Sequence, residues 1–297
     1  MHLRLGRRRL DDGAHPVDGQ DLGTLAGVPG RVLGVTGSGG APGRTFIGLN
    51  LAMALAEDGV RVSFVEAGSG LGTTAVRLNL KENLSLAYLA HEAKVRPLDE
   101  ELLARHLQRS GPLDLLVGTF EPDAAGMVPP EIFDSVVTML SQGHELTVVD
   151  LGPLDSHLTV AHALRCQTLC WVVSPTPVGV DLFDRVLRSA VANPLRVKPS
   201  LVVVNGTGAG TLAVNETALL RRYGMPLVAS IPFNRSACLR AEAAQKLAVA
   251  EGQLRAPLRA AARAAAAHLF QQTTLDRVPG SPQGVARGRM ERSGAET

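Results

Sequence analysis

Residues Arg31 to Glu66 read RVLGVTGSGGAPGRTFIGLNLAMALAEDGVRVSFVE. An apolar run of strand length meets a glycine-rich turn, Ile47, Leu51 and Leu55 then recur at helical spacing, and a second apolar run follows Gly59. Apolar residues at that spacing form one face of a helix, and Gly59 is placed to stop it. The spacing therefore predicts a helix from about Arg44 to Asp58. Strand, turn, helix and strand in this order make a parallel unit with a right-handed crossover. The turn Ser38–Thr45 then lies at a helix N-terminus, where unpaired backbone N–H groups favour an anion.

The same alternation continues down the chain. VLGVT, VSFVE, LDLLVGT, ELTVVD, LCWVV, LVVVN and PLVASIP are the candidate strands. Runs rich in Val, Leu and Ile without polar alternation suit strands buried on both faces of a parallel sheet. Helices are predicted at Asp99–Gln108, Pro130–Ser141, Val180–Ala192, Leu212–Tyr223 and Ser236–Ala250. The expected fold is α/β, a doubly wound and predominantly parallel sheet. Glu251 to Gln272, with Leu254, Leu258, Ala262 and Leu269 among alanines and arginines, is read as a helix packed on the domain. A helix lying on a membrane surface is the alternative, against which stand the weak apolar face of alanine and Pro257 near the start.

Three regions follow: a basic arm and linker over residues 1–30, one folded domain over 31–272, and a disordered Gly/Pro/Arg/Ser-rich tail over 273–297. Arg7, Arg8 and Arg9 would suit an anionic membrane surface, but a short solvated arm is the reading adopted. A net charge of +2 announces no nucleic-acid protein. Three cysteines are too few for a disulfide framework, no signal peptide precedes the first strand, and no apolar run reaches the length of a membrane span. A cytoplasmic protein is expected.

A P-loop, G-x-x-x-x-G-K-[ST], wraps phosphates in backbone N–H groups, sets a Lys against the outer phosphates and holds Mg²⁺ with its last hydroxyl. Ser38, Gly39, Gly40, Ala41, Pro42, Gly43, Arg44 and Thr45 occupy that place and match it in part. Gly43 and Thr45 agree; Arg44 stands for the Lys and Ser38 for the first Gly. With the flanking GLNLAMALAEDGVRVSFVEA, ELTVVDLGP, LVVVN and SIPFN in order, the stretch from Arg31 to Ala250 resembles the MinD/ParA family of deviant Walker-A ATPases. The resemblance implies a P-loop fold that binds ATP with Mg²⁺. It assigns the loop and the adjoining Phe46 to the nucleotide, Thr45 and Asp150 to the metal, and Asn205 and Pro232 to the base. It also implies a homodimer and protein partners at a membrane-associated assembly.

The departures bear on chemistry. Gly39 stands where the family carries its signature Lys. Arg44 keeps the charge, but a planar guanidinium is no substitute for a compact ammonium inside a tight loop. Pro42 removes a backbone donor and Ala41 forgoes the freedom of glycine. The family's Asp-x-Asp appears as Glu66-Ala67-Gly68, leaving Glu66 as the single candidate catalytic acid. The loop resembles the degenerate CpaE/TadZ-like branch, which implies a localisation factor for pilus or secretion assembly, or for cell-division positioning, with peripheral contact at the inner membrane face. A working ATPase using Arg44 is the main alternative.

Other chemistries fit less well. TGSGGAPG resembles the dinucleotide turn of short-chain oxidoreductases, but neither Tyr88 nor Tyr223 begins a Tyr-x-x-x-Lys. His157, His162, Cys166 and Cys170 have poor metal-site spacing, so core packing is expected of them. No G-x-S-x-G elbow follows a strand. DNA binding through Arg221, Arg222, Arg235 and Arg240 is not favoured, since a solvated face explains those residues equally well.

Overall fold

The computed structural model describes residues 30–276 apart from Gly40, Ala41, Ser69, 122–127, Asp155, 190–192, 196–197, Ala209, Ala213 and Glu251. The expected arm, linker and tail therefore lie outside the described residues, except that the last helix runs to Asp276, past Gln272.

The seven predicted strands form as β1 (Arg31–Gly37), β2 (Val62–Glu66), β4 (Leu113–Leu116), β5 (Leu146–Pro153), β6 (Thr168–Val173), β7 (Ser200–Thr207) and β8 (Leu227–Pro232). A short strand that the sequence reading missed, β3 (Gln108–Ser110), completes one eight-stranded sheet ordered β3-β4-β2-β5-β1-β6-β7-β8. β3 pairs antiparallel to β4, and every other pairing is parallel. From β1 the chain first builds one side of the sheet, then returns through β5 to build the other. A crevice at the carboxyl ends of the strands, where the direction of winding changes, is where such sheets hold ligands.

Apolar residues alternate between two buried layers. Leu33, Val35, Phe64, Cys170, Val172, Leu201 and Val203 face the layer containing α1 (Arg44–Glu57) and α10 (Arg255–Asp276). Val32, Val65, Leu169, Trp171, Val202 and Val204 face the layer containing α5 (Pro130–Gly143), α6 (His157–Arg165) and α7 (Pro177–Arg188). Burial on both faces explains why the strands read as continuous apolar runs.

α1 ends as its sequence predicts, with Gly59 at φ 92° and Val60 N–H bonded to the Leu55 carbonyl. Other boundaries shift for local reasons. α7 starts earlier than expected, at Pro177, because the Thr176 hydroxyl accepts from Gly179 N–H and proline suits a first helical position. α8 (Glu216–Tyr223) starts later than Leu212, because Asn215 caps it through Ala218 N–H at 2.9 Å. α9 (Arg235–Ala243) stops well short of Ala250, and Gln245 beyond it adopts φ 52°. Pro257 lies in the first turn of α10, where no N–H is needed, and so does not interrupt it. Three short helices, α2 (Thr74–Leu78), α3 (Leu86–Glu92) and α4 (Glu100–His106), join β2 to β3.

α10 is committed to the domain. Leu258, Ala261, Ala262, Ala265, Ala266 and Leu269 are buried in the α1 layer. Arg259 pairs with Glu57 and Asp58, and Arg263 with Asp58 at 2.9 Å. Among the described residues no helix is long and apolar enough to cross a membrane.

Asn50 ties the segment after α9 to the same layer. Buried in α1, it donates from Nδ2 to the Phe46 carbonyl and accepts Val249 N–H on Oδ1, each at 2.7 Å. In an Asn50→Ala variant the Val249 N–H loses its partner in a dry interior, which costs about 1–2 kcal/mol. Urea denaturation is expected to show a lower midpoint with an unchanged slope.

Candidate functional site

β1 ends at Gly37 and the chain turns through Ser38, Gly39, Pro42 and Gly43 into α1. Two of the predicted loop residues, Gly40 and Ala41, lie outside the described residues. Gly43 takes φ 89°, the left-handed region open to glycine, and caps α1 without a side-chain hydrogen bond. No acidic residue occupies the first turn. The N-terminus of this fourteen-residue helix is thus left without carboxylate or hydroxyl caps, as an anion site requires.

Two side chains tie this loop down. Arg44 turns back and donates from its guanidinium to the Ser38 carbonyl at 2.7 Å. Asn205, at the end of β7, donates from Nδ2 to the Pro42 carbonyl at 2.8 Å. A Cβ at position 43 would stand 2.3 Å from that same Nδ2, so glycine is needed there for space as well as for φ. Asn205, expected at a base, braces the loop through this bond. Pro232 lies exposed beside Thr207 in register, at the end of the neighbouring β8. Phe46, in the first turn of α1, lines a small hollow with Arg77, Cys238 and Lys246.

Thr45 and Asp150 are 105 residues apart in sequence, and the fold brings them together: the Thr45 hydroxyl donates to Asp150 Oδ2 at 2.5 Å. Asp150 Oδ1 accepts Gly152 N–H at 3.2 Å. Burial, reinforced by the charge of neighbouring Glu66, pushes the Asp150 carboxyl up to about 6, against the opposing Thr45 and Gly152 hydrogen bonds and the Arg44 charge. Glu66 stands beside Asp150 in register. Its carboxylate accepts backbone N–H groups from Thr73, Thr74 and Gly118, at 2.8 to 3.4 Å. These partners hold the only candidate catalytic acid as an acceptor within the fold.

The residues fit a phosphate and a divalent cation. Two adjacent hard oxygens, on Thr45 and Asp150, are the donor type Mg²⁺ takes. Among the described residues the buried Ser38 hydroxyl has no partner, which leaves one polar group at the loop unsatisfied. Arg44 is the exception, because a guanidinium N–H is already bonded to the Ser38 carbonyl of the loop itself.

Of the four expected core residues, His162, Cys166 and Cys170 are buried, whereas His157, the first residue of α6, is exposed. Cys166 and Cys170 are fully buried and burial pushes both thiols up to about 12, away from the thiolate a metal would need. His162 stacks on Phe133 with centroids 4.1 Å apart, and burial lowers it to about 4. Among the described residues no group of three or more His, Cys, Asp or Glu side chains could hold a metal ion.

The architecture has close counterparts among solved structures. The cell division ATPase MinD of Pyrococcus furiosus superposes with a TM-score of 0.67 at 18% identity, covering 80% of this chain and 98% of that one. A ParA family ATPase from Chlorobium tepidum gives 0.66 at 20% identity, covering 79% and 98%. The fold is that of the MinD and ParA ATPases. A third example, the septum site-determining protein MinD of Pyrococcus horikoshii complexed with Mg-ADP, gives 0.65 at 18% identity, covering 78% and 94%. No family model matches the sequence, and no curated protein matches it. Within the MinD/ParA fold, the loop before α1 and the end of β5 lie at the carboxyl edge of the sheet. What sequence reasoning missed at this edge are Thr73, Thr74 and Gly118, which act through backbone N–H groups and carry no side-chain signature.

Proposed function

We propose that this chain is a P-loop protein of the MinD/ParA type whose nucleotide site is degenerate, and that it serves as a localisation or assembly factor for a pilus, secretion or cell-division apparatus. The observation that carries this reading is the Arg44 guanidinium donating to the Ser38 carbonyl. The position that should neutralise outer phosphates is hydrogen-bonded to its own loop. Glu66 supports the reading, because a carboxylate already accepting three N–H groups is poorly placed to orient a water.

Binding would rest on Thr45 and Asp150 for Mg²⁺ and on the α1 N–H groups for phosphate, with Gly43 allowing close approach. Mg²⁺, when bound, supplies positive charge beside the phosphate oxygens. Asp150 would then be held ionised against the burial that otherwise favours its protonated form. A homodimer, protein partners at a membrane-associated assembly and a cytoplasmic location with peripheral membrane contact complete the proposal. The CpaE/TadZ-like branch is its finer assignment, supported by the loop GSGGAPGRT.

Calorimetric titration with ATP and Mg²⁺, paired with a phosphate-release assay, tests this. Dissociation constants weaker than about 100 μM and no release above background are expected. Tight binding with turnover that Thr45→Ala abolishes would overturn it. That outcome favours the second reading, a working ATPase using Arg44, which has in its favour the intact Thr45–Asp150 pair.

A further inference from the structure

The loops at the carboxyl edge of the sheet are joined by a buried carboxylate. Glu66, the last residue of β2, is 6% exposed. Its Oε1 accepts Thr73 N–H at 2.8 Å, its Oε2 accepts Gly118 N–H at 3.0 Å, and Thr74 N–H is shared between them at 3.4 and 3.3 Å. Thr73 and Thr74 begin α2, whereas Gly118 follows β4, so one side chain holds two separate stretches of chain.

The surroundings are shaped to admit it. A Cβ on Gly72 would lie 2.7 Å from Oε2, and one on Gly118 would lie 3.1 Å from the same atom. Gly72 N–H also reaches the Thr119 carbonyl at 2.5 Å, joining the two stretches directly. On the other side, Ala67 N–H bonds to the Asp150 carbonyl at 2.8 Å, and a Cβ on Gly68 would rest against Gly152. Ala67 is therefore fastened to β5, and Gly72 with the start of α2 to the stretch that follows β4. A carboxylate accepting several N–H groups at once is a strong, charge-assisted joint.

We propose that Glu66 is a permanent clasp, holding Gly72 and the start of α2 against the stretch after β4 in one position before any ligand arrives and leaving them there afterwards. The clasp rests on the functional reading above only for its second half, that ligand does not move it. Two oxygens are needed for it to work. A glutamine keeps the length but turns an amide N–H₂ toward N–H donors, so one of the two stretches must let go.

Amide hydrogen exchange on the full chain, resolved by residue, tests the clasp. Without nucleotide, the Thr73, Thr74 and Gly118 amides are expected to exchange at least about 100-fold more slowly than open-chain amides. Millimolar ATP with Mg²⁺ is expected to leave all three unchanged. Glu66→Gln is expected to speed exchange by tenfold or more on at least one of the two stretches, Thr73 with Thr74 or Gly118, while the amides of Leu258 to Leu269 keep their protection. Gly72→Ala serves as a second variant, pressing a methyl group on Oε2 with Glu66 intact, and is expected to speed the Gly118 amide, which Oε2 accepts, by a similar factor. The clasp is overturned if protection at the three amides appears only when ATP is added, or if both variants leave it untouched. The measurement without nucleotide decides the clasp even where ATP does not bind, so its failure is separable from failure of the functional reading.

Discussion

Arg44→Lys is expected to tighten ATP–Mg²⁺ binding by about 10- to 100-fold, a gain of roughly 1.4–2.7 kcal/mol. In the native chain the guanidinium donates to the Ser38 carbonyl from the first turn of α1. Its planar fork is held close against the loop, near where phosphate would have to enter. An ammonium is compact, carries its three donors on one rotatable centre, and can turn from the carbonyl to a phosphate oxygen. Arg44→Met removes the charge and is expected to abolish what binding remains. The comparison is a titration of the three proteins under one salt concentration, because screening would otherwise confuse the charge effect. If Arg44 is instead an adapted phosphate ligand, the lysine variant binds no better than the native chain, and the degenerate reading fails.

Asp150→Asn is expected to raise stability at pH 7 by about 2 kcal/mol and to lose that advantage near pH 4. The folded carboxyl titrates at about 6 against an ordinary 3.8. Between those values the folded state takes up a proton that the unfolded state does not. Native stability therefore falls as pH rises through this window, and the whole penalty is present above it. A displacement of that size is worth roughly 3 kcal/mol. The variant offsets about 1 kcal/mol of it, since its single carbonyl oxygen accepts from Gly152 N–H or from the Thr45 hydroxyl but not from both. Chemical denaturation of both proteins at pH 7 and pH 4 checks the sign. Adding ATP and Mg²⁺ is expected to stabilise the native chain and not the variant. An ionisable group kept at a structural cost is the mark of a position held for chemistry.

The sheet was legible because its strands are buried on both faces: VSFVE and LCWVV carry no polar alternation that a helix or a loop would share. β3 was not legible, since Gln108-Arg109-Ser110 pairs at an edge through its backbone and has no apolar residue to signal it. The start of α8 was misplaced because Leu212 and Val214 look like helix face, whereas the single hydrogen bond from Asn215 decides where the helix begins. At the site, motif order alone paired Thr45 with Asp150. The partners of Glu66 were hidden, because they are backbone N–H groups, which leave no side-chain signature. Asn205 was found at the right edge of the sheet but with a different neighbour, the Pro42 carbonyl, whose direction depends on a loop bent by Gly43.

α10 has a consequence for how the chain is made. It follows all eight strands in the chain, yet it packs on α1, the first helix, as well as on β7 and β8. During synthesis that side of α1 must wait, uncovered and adhesive, until every strand of the sheet has been made. The arginines that dock α10 onto Glu57 and Asp58 fix where it lands. Closure of the α1 side is thereby timed by an element made after the whole sheet, although α1 itself is the first helix.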